Sequence, residues 1–200
     1  MNTKLKTFFA VLALFAGIQY SYAQKLKLTQ GDLKMLAGEK SLNVTYQYGP
    51  MGIGKFEREE DYVAKKVAEY NEKEAGRGDK WSQSWVSDRE ERFEPQFEEL
   101  FNKHSNGIQV GSNPSATYTL VIKTTFTEPG FNVYVARKNA RIDGEAIIVK
   151  TSDPNTPLAV ISFVNAPGRT FGGYDYDTGT RIQEAYAVLG KSLGKMIGGK

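Results

Sequence analysis

The sequence predicts an α+β fold: an antiparallel meander sheet packed by a carboxy-terminal amphipathic helix and by a helical region before the central strand. Three observations carry this expectation. Tyr118 to Thr127 alternates Tyr118, Leu120, Ile122 and Phe126 with Thr119, Val121, Lys123 and Thr125, the period of a strand with one apolar face. Glu59 to Glu74 and Thr180 to Ile197 instead place apolar residues every three or four positions, as amphipathic helices do. Turn residues separate the strand-like runs after Tyr118, so neighbouring strands are expected to be antiparallel and joined by short connections.

Taken in order, the chain opens on MNTKLK, then twelve uncharged residues, TFFAVLALFAGI, then Ser21-Tyr22-Ala23. A positive start, a short apolar run and small residues before a cut are the pattern of a secretory signal peptide. The run is too short for a membrane span, which needs about 20 residues. Residues 1–23 are therefore expected to be a signal peptide cleaved between Ala23 and Gln24, and residues 24–200 a single α+β domain, periplasmic or secreted. Cleavage removes Lys4 and Lys6, leaving 24 basic against 23 acidic residues, so the net charge falls from +3 to +1. Such a balance gives no electrostatic argument for nucleic acid. With no cysteine, neither disulfides nor a lipid anchor is expected. No later segment reads as a membrane span.

Leu26 and Leu28 start a strand, and a helical turn through Leu33, Met35 and Leu36 follows, with Asp32 near its cap and Gly38 ending it. Ser41 to Tyr48 alternates Leu42, Val44, Tyr46 and Tyr48 as a second strand, and residues 49–54 read as loop. In the Glu59–Glu74 helix, Val63, Val67 and Tyr70 form the apolar stripe, with Ala64 and Ala68 beside it and Lys65 and Lys66 facing out. Gly76 and Gly78 end it. A second helical region carries Trp81 and Trp85, and Pro95 is expected to restart it, since proline suits a first turn. Lys55 to Lys103 holds ten basic and fourteen acidic residues, a solvated surface of mixed sign. After the central strand, Pro129-Gly130 turns the chain into a strand over Phe131–Ala136. Strands over Arg141–Lys150 and Leu158–Asn165 follow, joined at Ser152-Asp153-Pro154-Asn155. Thr180 and Gln183 have capping-box spacing before the last helix. Gly190 and Gly194, one turn apart, are expected to bring that helix close to the sheet.

Catalytic chemistry finds few parts. There is no cysteine, and His104, the single histidine, reads as a helix-end residue. Asp175-Tyr176-Asp177-Thr178-Gly179 resembles the start of a calcium loop, but its glycine comes one place early and Tyr186 stands where the bidentate glutamate belongs. No metal, cofactor or catalytic residue is expected. Arg77-Gly78-Asp79 spells an adhesion tripeptide that ordinary turn chemistry also produces. The binding candidates are aromatic and basic. Phe131, Tyr134, Arg137, Arg169, Phe171, Tyr174 and Tyr176 lie on two loops flanking the strands, with Lys138 nearby, and would form one surface if those loops share an end of the sheet. Trp81 and Trp85, four residues apart, are the alternative, a carbohydrate-binding face requiring both indoles exposed and coplanar. A hydrolase using Asp175, Asp177 or Glu184 is the remaining alternative, and it requires those acids to converge in a cleft.

The chain also resembles a family of uncharacterised secreted proteins from Bacteroidetes. The likeness rests on the SYA-Q cut, KFEREEDYVAKKVAEYN, GDKW, FEELFNK, FTEPGFN and APGRTFGGYDYDTGTRIQEAY, and spans nearly the whole chain after the cut. More remotely, the element order is similar to small periplasmic α+β domains of curli-secretion and synthase-activating lipoproteins and to the TolB amino-terminal domain. The close family implies export and fold with no activity to carry over, and the remoter relatives bind other proteins and catalyse nothing. The chain is accordingly expected to bind an envelope protein or glycan without catalysis.

Overall fold

The computed structural model describes residues 24–133, 136–168 and 177–199. The expected central strand is β5 (Tyr118–Glu128), whose Leu120 and Ile122 are buried. It pairs antiparallel with β8 (Ala140–Lys150), which pairs antiparallel with β9 (Asp153–Gly168), and β9 pairs antiparallel with β1 (Lys25–Gln30). Within these four strands neighbours are antiparallel. On its other side β5 runs parallel to β2 (Ser41–Gln47), and β2 runs parallel to the edge strand β4 (Gln109–Gly111). Residues 49–54, expected as loop, include β3 (Gly52–Ile53), which adds to β5 at Phe126–Thr127, also parallel.

The sheet is therefore mixed, which corrects the all-antiparallel expectation. Its order is β1-β9-β8-β5-β2-β4. The cause lies in the helical stretch between β2 and β4: parallel neighbours need a long crossover, and the helices supply it. These are α1 (Glu59–Lys73), α2 (Arg77–Asp88) and α3 (Glu94–His104). Between α2 and α3 the chain passes through a π-turn at Arg89–Phe93, and Pro95 falls in the first turn of α3, as expected. Proline has no N–H for the i−4 carbonyl, and the wider π-turn absorbs that gap without ending the helix.

The last helix, α4 (Thr178–Ile197), lies over β8 and β9, burying Ile182, Ala185, Tyr186, Leu189 and Leu193. Its glycines do not face the sheet as expected. A Cβ at Gly190 would collide with the backbone of Phe97, and one at Gly194 would sit 2.6 Å from the Phe101 carbonyl oxygen. Gly198 meets Ser105 in the same way. Three glycines at four-residue spacing thus let α4 ride directly on the backbone of α3.

One phase error in the sequence reading has a clear cause. A bulge between Thr124 and Phe126 resets the alternation of β5, so Thr124 and Thr127 are the buried positions and Phe126 lies under the Arg141 guanidinium, 4.5 Å away. In α1 the buried residue is Tyr62; Val63 is half-buried against the core beside it, and Ala64 and Ala68, expected beside the stripe, are exposed. A small hairpin, β6 (Phe131–Val133) with β7 (Ala136–Lys138), stands apart from the main sheet.

Candidate binding groove

Tyr62, Lys66 and Tyr70 stand one turn apart on α1 and form one wall of a groove of about 530 Å³. Ile53 to Phe56, Phe131, Asn132 and Val133 of β6, and Lys138 of β7 also line it. Thr178 and Arg181, from the first turn of α4, complete it. Arg181 is 3% exposed. Its Nε donates to the Pro129 carbonyl at 3.1 Å, and its Nη2 donates to the Gly130 carbonyl at 3.3 Å and to Thr178 Oγ1 at 3.0 Å. The guanidinium thereby ties the Pro129-Gly130 turn, and with it the start of the hairpin, to α4.

Among the described lining residues cationic side chains predominate, Lys55, Lys66, Lys138 and Arg181 against the carboxylate of Glu128. That carboxylate is already engaged, because Lys138 Nζ bonds one oxygen and the Gly130 amide donates to the other at 3.1 Å. Two aromatic rings carry the chain's own cations. Lys55 and Lys65 lie 5.7 and 5.8 Å from the centre of Phe56, and Lys66 and Arg77 lie 5.6 and 5.2 Å from that of Tyr70. Burial pushes the Tyr62 phenol well above its ordinary value, with Tyr70 adding to the rise, so this hydroxyl is neutral. Phe131 is 44% exposed and Val133 51%, large apolar side chains that the fold leaves uncovered.

Of the loop surface expected from sequence, Phe131 lines the groove and Arg137 lies on the same hairpin, paired in register with Asn132. Tyr134, Arg169, Phe171, Tyr174, Asp175 and Tyr176 lie outside the described residues. Sequence reasoning missed Phe56, Tyr62, Lys66 and Tyr70. The spacing of Tyr62, Lys66 and Tyr70 was a usable signal, masked because Val63 and Val67 offered a more apolar stripe next to it.

The tryptophans do not present a sugar platform. Trp81 and Trp85 stack on each other at 5.5 Å and pack α2 onto α1 through Tyr62 and Tyr70. Trp85 is only 8% exposed, and its indole N–H donates to Glu59, which also pairs with Arg89. The pair is packing between two helices, and the exposed coplanar face is absent.

Asp177 caps α4. Its carboxylate accepts from the Gly179 amide at 3.3 Å and from the Thr180 amide at 3.0 Å, and Arg92 pairs with it at 2.7 Å. Burial acts to raise its pKa, but the bonds from Arg92 and Thr180 outweigh this and hold the carboxyl below its ordinary value. Thr180 is inside the helix and Gln183 bonds Gln96 at 3.0 Å, so the expected Thr180–Gln183 capping box does not form. Arg77-Gly78-Asp79 opens α2, with Gly78 buried against the backbone of Val67, a helical setting for the tripeptide. His104 Nδ1 donates to the Leu100 carbonyl at 2.9 Å, as a helix-end residue does. Tyr186, the calcium-loop misfit, is a core residue bonded to Thr124 at 2.7 Å.

A second polar cluster joins β2 to α3. The Tyr46 hydroxyl donates to Glu98 at 3.2 Å and the Tyr48 hydroxyl to Glu94 at 3.0 Å. Burial raises both carboxyls above their ordinary value. The cavity beside Tyr48 is about 10 Å³, room for a single water and for no substrate.

Among the described residues no group of three or more potential ligands could hold a metal ion, and no helix is long and apolar enough to cross a membrane. Comparison with protein-family models, curated proteins and solved structures finds no match to this chain.

Proposed function

We propose that the protein is an exported, non-catalytic binding or accessory protein of the cell envelope, and that the groove between α1 and the β6–β7 hairpin is its docking site. The observation that carries this reading is the groove itself: an aromatic and basic concavity of about 530 Å³ with uncovered Phe131 and Val133 at its wall. Asp177 argues in the same direction, because a carboxylate bonded to Arg92 and to helix amides makes a cap and not a general acid. Export rests on the MNTKLK, apolar, Ser-Tyr-Ala order at the start of the sequence and on the resemblance to secreted Bacteroidetes proteins.

Three measurements test the reading. Amino-terminal sequencing of the product from fractionated cells is expected to begin at Gln24 outside the cytosol, and a cytosolic product retaining Met1 refutes export. Recovery of envelope components on the immobilised protein is expected to drop with Phe131→Ala combined with Lys66→Glu, and equal recovery removes the groove as the docking site. Turnover of a glycan or ester lost with Asp177→Asn would replace binding by hydrolysis.

A further inference from the structure

Resting on the groove as docking site, we infer that its ligand is an acidic peptide segment of a partner protein that carries an apolar side chain between its acids. The charge of the lining sets the first half. Among the described lining residues, Lys55, Lys66, Lys138 and Arg181 stand against the carboxylate of Glu128, with which Lys138 already pairs. Among the described residues Lys55 has no ion-pair partner, and Lys66 has only the surface pair with Glu69 at 3.4 Å, which costs little to exchange. A carboxylate-bearing ligand gains on both lysines, and its approach is steered by their field.

The rings set the second half. Neutral or acidic sugars are held by stacking on an open aromatic face together with amide and carboxylate side chains that bond hydroxyls. Here Phe56 and Tyr70 have the chain's own cations over them, and Glu128 is engaged by Lys138 and Gly130. Phe131 and Val133, two residues apart on β6, remain exposed and offer an apolar contact for a side chain. Acids on the lysines with one apolar residue on Phe131 is the combination the wall satisfies.

The test is fluorescence anisotropy on the full secreted protein with four labelled probes: a nonapeptide of glutamate and aspartate around one phenylalanine, the same peptide with serine for phenylalanine, a lysine counterpart, and an oligogalacturonate of matching charge. The phenylalanine peptide is expected to bind tightest. Its affinity should fall about tenfold in Lys55→Glu/Lys66→Glu and severalfold in Phe131→Ala, with unchanged melting curves. Wild-type binding should also weaken severalfold between low and high salt, a measurement that needs no variant. Equal binding of the serine peptide, or tighter binding of the oligogalacturonate, overturns the peptide assignment. If no probe binds while envelope recovery still depends on Phe131 and Lys66, the acidic-peptide inference fails and the docking site stands. If that recovery is also unchanged, both fail.

Discussion

Replacing Gly190 or Gly194 by alanine should destabilise the protein, although alanine is the better helix former. In an unhindered helix interior, alanine outranks glycine by about 1 kcal/mol. At Gly194 the added Cβ would lie 2.6 Å from the Phe101 carbonyl oxygen and 3.2 Å from its Cα, so α3 and α4 must part by several tenths of an ångström. At Gly190 the intrusion on Phe97 is deeper. Overpacking of this kind costs ~1–3 kcal/mol. Subtracting the propensity gain leaves roughly 0–2 kcal/mol of net loss at Gly194 and a value near the upper end at Gly190. In a protein of this size each kcal/mol lowers Tm by about 2–4 °C. Lys191, exposed on the same helix, supplies the control. Urea unfolding of Lys191→Ala and Lys191→Gly should favour alanine by ~1 kcal/mol. The sign should invert at Gly190, where glycine wins. Alanine winning at both positions would refute direct backbone contact between α3 and α4.

Three further outcomes follow from polar groups bonded within the fold. Tyr186→Phe removes the partner of Thr124 in the core, leaving a buried hydroxyl unsatisfied, and should cost ~1–3 kcal/mol by urea unfolding, with Thr124→Val/Tyr186→Phe recovering part of it. Glu94 and Glu98 have raised carboxyls, chiefly through burial, so the folded state binds these protons more tightly than the unfolded chain and their charged forms oppose folding at neutral pH. Glu94→Gln and Glu98→Gln should each be more stable than the parent at pH 7, with the gap closing as pH falls toward 4.5. Asp177 has the opposite sign: its depressed carboxyl stabilises above its ordinary value of 3.8 and loses that contribution as pH falls through the folded value. Asp177→Ala should therefore cost ~0.5–2 kcal/mol near neutral pH, less in strong acid, measured by the same unfolding scan.

Much of the fold was legible because local period is a local property. Ser41–Gln47, Tyr118–Glu128, Ala140–Lys150 and the last helix each declare themselves through the spacing of their own apolar residues. Which strands lie side by side is not local. The parallel pairing of Val44 with Leu120 depends on where three helices return the chain, and nothing in either strand encodes that. Phase was lost where an irregularity shifted it, at the bulge beside Thr125, and in α1 the inward face extends to Tyr62 beside Val63. The groove was half legible for the same reason. Phe131 and Arg137 are close in sequence and advertise an aromatic and basic hairpin, whereas Phe56, Lys66 and Tyr70 join it only through tertiary packing.

The pairing of β1 has a bearing on how the chain is made. Leu26, at one end of the polypeptide, finds its neighbour in Phe163, close to the other, and β2 likewise waits for β5 beyond the whole helical excursion. Contacts closed over such long spans form late and slowly. A growing polypeptide that has not yet released β9 has no resting place for its first strand, so the sheet cannot be completed from the front. On the export proposed above, that delay would keep the leading segment open until nearly all of the chain has crossed.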